Sequence, residues 1–128
     1  MGPWPFFLKR TVRTAKSIKT TPEKALKLLH DAPAMITLNP LVVSYKTTKN
    51  DPNTYVIKDN LTVMGWNTTS EYTATVEETA DGVKFYIKAP GSMTSVTTWR
   101  VFPAEDDNDV VEIEEIAEVE VRPMFFNG

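Results

Sequence analysis

Apolar and polar positions alternate along most of this chain, and the alternation breaks once, between Thr21 and Leu38. Before the break, Val12 and Ile18 share one parity while Lys9, Arg13 and Lys19 share the other, which predicts a half-buried first strand over Lys9 to Lys19. Thr21-Pro22-Glu23 then carries the signals of a helix start: a hydroxyl to cap free amides, a proline suited to the first turn and an early acid for the dipole. Ala25, Leu28 and Leu29 fall on one helical face with Leu26 at its margin, so a helix of two to three turns should end near His30. Asp31 can cap a second short helix through Ala34, Met35, Ile36 and Leu38, which Asn39-Pro40 should stop because the residue before proline resists helical angles.

Beyond Pro40 the period is two again. Leu41, Val43 and Tyr45 alternate with Val42, Ser44 and Lys46; Asn50-Asp51-Pro52-Asn53 predicts a turn; Tyr55, Ile57, Leu61 and Val63 line one face of the next strand, which completes a hairpin. The chain breaks around Gly65-Trp66-Asn67. Tyr72, Ala74 and Val76 then alternate up to Asp81-Gly82, a tight-turn signal that leads into Val83, Phe85 and Ile87. After Pro90-Gly91, Met93 to Phe102 reads as a strand of unclear parity. A polar loop from Pro103 to Asp109 precedes a last strand from Val110 to about Arg122, with Val111, Ile113, Ala117, Val119 and Val121 on one face. The order is strand, two short helices, then six strands, and an antiparallel meander is the simplest way to connect them.

That order, together with the passage from Thr21-Pro22-Glu23-Lys24-Ala25 to Asn39-Pro40-Leu41-Val42, resembles the START-like, helix-grip superfamily (SRPBCC), which includes polyketide cyclases and plant pollen allergens. Its texture is similar to a fungal branch of the group. The resemblance covers nearly the whole chain as a single domain and implies an α+β fold: a seven-stranded curved antiparallel sheet with two short helices after the first strand. It also implies a long C-terminal helix over an apolar cavity. Here the sequence departs from the pattern, since only Met124, Phe125, Phe126, Asn127 and Gly128 follow Arg122-Pro123. An uncovered apolar face of that size normally finds a partner, and the N-terminal Trp4-Pro5-Phe6-Phe7, the C-terminal Met124-Phe125-Phe126 or a second copy in a homodimer are the candidates.

Composition narrows the class. A length of 128 residues, 41% of them hydrophobic, suits one domain with a real core. With no cysteine there is neither a disulfide scaffold nor a thiolate metal site nor a cysteine nucleophile. Met1 to Arg10 does not read as a signal peptide and no run approaches membrane-spanning length, so a cytoplasmic protein is expected. A net charge of -3 gives no support to a nucleic-acid partner. Basic residues dominate the first part of the chain and acids the last, as two neighbouring strands with complementary outer faces would require.

The candidate chemistry rests on residues that break the pattern. Asp59 shares parity with Tyr55 and Ile57, and Glu115 shares parity with Ile113 and Ala117, so both carboxyls are predicted to face inward. A carboxyl in an apolar cavity has a raised pKa and can act as general acid or base; a β-bulge turning it outward, or a pairing with Arg100 or Lys16, is the structural alternative. His30, the sole histidine, is the third catalytic candidate, against a role closing the first helix. Tyr45, Tyr55, Tyr72, Tyr86, Phe85, Trp66, Trp99 and Met35 are expected to line a ligand site or the core. No metal centre, cofactor motif, nucleotide fingerprint or nucleophile elbow is evident. From the resemblance, the expected function is binding of an apolar polyketide- or terpenoid-type molecule, with cofactor-independent cyclase or isomerase (pericyclase-like) activity. A non-catalytic carrier or sensor is the alternative.

Overall fold

The computed structural model describes residues 8–121, and the apolar segments proposed as covers, with the chain after Arg122, lie outside the described residues. Strand β1 (Leu8–Lys19) leads into helices α1 (Pro22–Leu29) and α2 (Ala32–Thr37). Six strands follow: β2 (Val42–Thr47), β3 (Thr54–Val63), β4 (Trp66–Thr79), β5 (Gly82–Ala89), β6 (Met93–Pro103) and β7 (Val110–Val121). They form one curved, antiparallel sheet in the order β1-β7-β6-β5-β4-β3-β2, so the meander runs from β2 to β7 and β1 closes beside the last strand. This is the expected α+β, helix-grip architecture.

Both helices begin on the side chains that the sequence marks. Thr21 Oγ1 accepts from the Lys24 amide at 3.3 Å, and Asp31 Oδ1 accepts from the Ala34 amide at 3.1 Å. The buried face of α1 is centred on Ala25 and Leu29 with Leu26 half-buried, whereas Leu28 is exposed; an eight-residue helix meets the sheet along one i, i+4 row only. Ala32, Met35 and Ile36 are buried from α2. Against these helices the sheet's inner face supplies Ile57, Ala74, Val83, Phe85, Val101 and Val111, which form one core with them. Burial of such side chains stabilises the fold by about 1.5–3 kcal/mol each.

Two turns differ from expectation. The β4–β5 loop is Ala80-Asp81, and Gly82 already pairs with Thr79 and Arg100. Its glycine answers a close approach: a Cβ there would run into the main-chain carbonyl of Trp99. Between β3 and β4 the loop is Met64-Gly65, both at positive φ, and β4 starts at once with Trp66. The register of β6 settles its parity, with Ser95, Thr97, Trp99 and Val101 inward and Val96, Thr98, Arg100 and Phe102 outward. Its inner face carries hydroxyls where alternation needs hydrocarbon, and this blurs the pattern in the sequence. On the outer face β1 and β7 meet as bases and acids, with Arg13 to Glu114 at 2.6 Å.

Candidate active site on the inner face

Continuous registers decide where the two unusual acids point. No bulge interrupts β3 against β4 or β7 against β6 and β1, so Asp59 stays on the face of Ile57, and Glu115 on the face of Ile113 and Ala117. The expected alternatives do not form. Arg100 faces outward and binds Asp81 at 3.0 Å, and Lys16 makes no ion pair with Glu115.

A cavity of about 210 Å³ lies between α2 and the inner face. Its apolar walls come from Met35, Ile36, Ile57, Ala74, Phe85 and Ile87, and its polar groups from Asn39, Tyr72, Thr97, Trp99 and Glu115. Trp99 and Glu115 stand side by side across the β6–β7 ladder, so the carboxyl meets an indole rather than a counter-ion. Partial burial pushes the Glu115 carboxyl above its ordinary range, and it has no hydrogen-bond or ionic partner among the described residues. Tyr72 Oη donates to Asp59 Oδ1 at 3.3 Å. Burial, aided by the Asp59 charge, pushes the Tyr72 phenol up to about 12, so it is a hydrogen-bond donor at neutral pH and not a base. The cavity thus has an apolar floor, an acid of raised pKa on one wall and a carboxylate-held phenol on another.

The remaining candidates are placed differently. His30 lies outside this cavity. Its Nε2 is 3.0 Å from the Thr79 carbonyl and 2.9 Å from that of Gly82, and since carbonyls only accept, Nε2 carries the proton. It clasps the end of α1 to the β4–β5 turn while Nδ1 faces Glu78 at 3.8 Å, which is the helix-closing role. A wider cleft of about 870 Å³ beside His30 is lined by Lys27, Asp31, Asp51, Glu77 and Glu78 among others, and so many charges suit water rather than an apolar guest. Tyr55 packs on the core and Tyr45 sits beside it on the edge strand, ring centroids 6.3 Å apart. Tyr86 points outward and donates to Glu77 at 3.1 Å, because even positions of β5 face away from the helices. Trp66 is 78% exposed at the β3–β4 turn, past the ends of β2 and β5, where no strand among the described residues flanks the hairpin. Of the cavity's polar residues, Asn39 reads in sequence only as a helix stop; no local signal gives it a second role.

The fold agrees with those of known proteins. A family model described as a domain of unknown function, DUF7053, matches residues 11–121. The chain belongs to this family. No curated protein matches it in sequence. Among solved structures it is similar to the Zhui aromatase/cyclase from a Streptomyces species (TM-score 0.62, 13% identity, 90% of this chain and 70% of that one). A START superfamily protein from Mycobacterium smegmatis is similar too (TM-score 0.65, 12% identity, 89% and 79%). So is StfQ, a di-domain aromatase/cyclase of the steffimycin biosynthetic pathway (TM-score 0.61, 13% identity, 94% and 42%). At such identities the likeness establishes a START-like fold. No helix among the described residues is long and apolar enough to cross a membrane.

Proposed function

We propose that this chain is a single START-like domain that binds an apolar small molecule, of polyketide or terpenoid type, in the inner-face cavity and cyclises or isomerises it without a cofactor. One observation carries the reading: Glu115, an acid of raised pKa with no ionic or hydrogen-bond partner among the described residues, stands against Trp99 in a cavity with mostly apolar walls, a placement that costs stability and suits a proton donor. In this mechanism the apolar walls fold a flexible substrate into a reactive shape. Glu115 protonates it or stabilises charge as it develops, and the Tyr72 phenol, oriented by Asp59, donates to an oxygen of the substrate. The aromatase/cyclase neighbours support the class of chemistry by analogy of fold alone. We place the protein in the cytoplasm, with a second copy as cover for the rest of the inner face.

The cavity's volume, about 210 Å³, is below the roughly 300–1,000 Å³ of most ligand pockets and favours a carrier that holds part of its ligand as the second reading. Two measurements separate these. Native mass spectrometry of protein from its source should show a bound apolar molecule, and the dye 1-anilinonaphthalene-8-sulfonate should bind wild type but not Thr97→Phe, which fills the cavity. If both fail, there is no ligand site. Given the ligand, Glu115→Gln and Asp59→Asn should abolish turnover while leaving affinity within about threefold; unchanged turnover in both removes the catalytic claim, and binding without any turnover leaves a carrier.

A further inference from the structure

The β3–β4 hairpin runs past the rest of the sheet. β4 pairs with β5 only from Thr73 to Thr79, and β3 pairs with β2 only as far as Asp59, while β3 and β4 continue to pair with each other out to Val63 and Trp66. From the Asp59–Ser70 pair, the last one flanked by β2, to the Val63–Trp66 pair is four residues, an arm of about 13 Å. At its tip Met64 is 94% and Trp66 78% exposed. Exposed apolar residues are concentrated in this part of the chain. Of the eleven large hydrophobic side chains exposed among the described residues, seven lie between Leu38 and Trp66. Leu41 is tied to the base of the arm, where its carbonyl accepts from the Asn60 amide at 2.7 Å, and Leu38 at the end of α2 is exposed nearby in the chain.

Two further features point to what meets this tip. First, from Asn60 to Ser70 the chain has no charged residue; its polar side chains are Asn, Thr and Ser. Second, the two-residue turn puts Met64 at φ 50, a conformation that favours asparagine or glycine, and leaves the methionine 94% exposed. The protein keeps a large, flexible apolar side chain at a strained and solvated position. A paired hairpin already satisfies the amides and carbonyls that face its partner strand, which allows a tip to leave water; the free outer edges of the arm limit that entry to the turn itself. Tryptophan beside an apolar side chain and uncharged amide and hydroxyl groups suits the boundary between lipid headgroups and acyl chains.

We propose that the Met64-Gly65-Trp66 turn docks the protein on a lipid bilayer surface, without spanning it, and that the contact is apolar rather than electrostatic. This stands independently of the cavity reading. With no basic residue between Asn60 and Ser70, binding should not require anionic lipid and should persist in salt. The test is co-sedimentation with phosphatidylcholine vesicles at low and high salt. Wild type should partition, and the double variant Met64→Ser/Trp66→Ser about tenfold less, the change that partial burial of two such side chains carries. Both replaced side chains are exposed, so the variant should keep its circular dichroism spectrum and melting temperature. Brominated phosphatidylcholine should quench wild-type fluorescence more than that of Trp66→Phe. Equal partitioning of wild type and double variant overturns the proposal, as does a wild type that ignores vesicles. Should wild type form a dimer that the double variant loses, without lipid binding, the turn is a contact between copies instead.

Discussion

Glu114 and Glu115 are adjacent in β7 and carry the same group, yet they face opposite surroundings. On the outer face Glu114, its side chain 9% exposed, meets Arg13 of β1 at 2.6 Å, an ion pair that joins the base-rich first strand to the acid-rich last one. On the inner face Glu115 lies between Trp99 of β6 and Thr14 of β1 and lines a cavity with mostly apolar walls. Burial alone therefore does not mark a functional acid. A buried carboxylate with a guanidinium is architecture; one without a partner, in a cavity, is a candidate for chemistry.

The largest effect expected from disturbing this contrast is on the outer face. Arg13→Ala strands Glu114 and should cost about 2 kcal/mol in urea unfolding, whereas removing both groups together, Arg13→Ala/Glu114→Gln, should recover most of that loss. Equal costs for the single and double variants would mean that the pair contributes nothing specific.

On the inner face the sign reverses. The folded-state pKa of Glu115 is raised, so its contribution is intact below the unfolded carboxylate pKa and is lost as pH climbs through the folded value. Glu115→Gln should therefore melt higher than wild type at pH 7, with the gap closing below about pH 4. Asp81 supplies the opposite slope: hydrogen bonding to Arg100 holds its carboxyl below the usual range, so its contribution is present above the unfolded pKa and lost as pH falls through the folded one. Arg100→Met should weaken the protein slightly at neutral pH and not at all in strong acid, since the pair is half-exposed. The smallest effect is spectroscopic. In Asp59→Asn the Tyr72 phenol should titrate below its value of about 12 but still above 10, because burial is the larger cause of its shift; ultraviolet absorbance at high pH reads this directly.

Much of this is legible in the order of residues. Thr21 and Asp31 announce their helices because capping is a local hydrogen bond between residues three apart, and period two exposes the parity of Asp59 and Glu115 wherever a strand has enough hydrocarbon to set a phase. Where β6 puts Ser95 and Thr97 inward, that phase is lost. The site is harder. His30 is chemically the most suggestive residue in the chain, and its sequence position fits either role. Only the carbonyls of Thr79 and Gly82, some fifty residues away, assign it to a clasp.

The elements, their order and the inward parity of two acids follow from the amino-acid sequence, since these depend on neighbours within a few residues. Which acid finds a base is a tertiary matter. Arg13 and Glu114 lie 101 residues apart and meet because β1 closes beside β7; Arg100, opposite Glu114 in the ladder, is turned away from Glu115 by a single step of register. Packing likewise settles the fate of the aromatics. Trp99 and Trp66 look alike in sequence, but one has a neighbouring strand and a helix above it, and the other lies on a hairpin that has outrun the sheet.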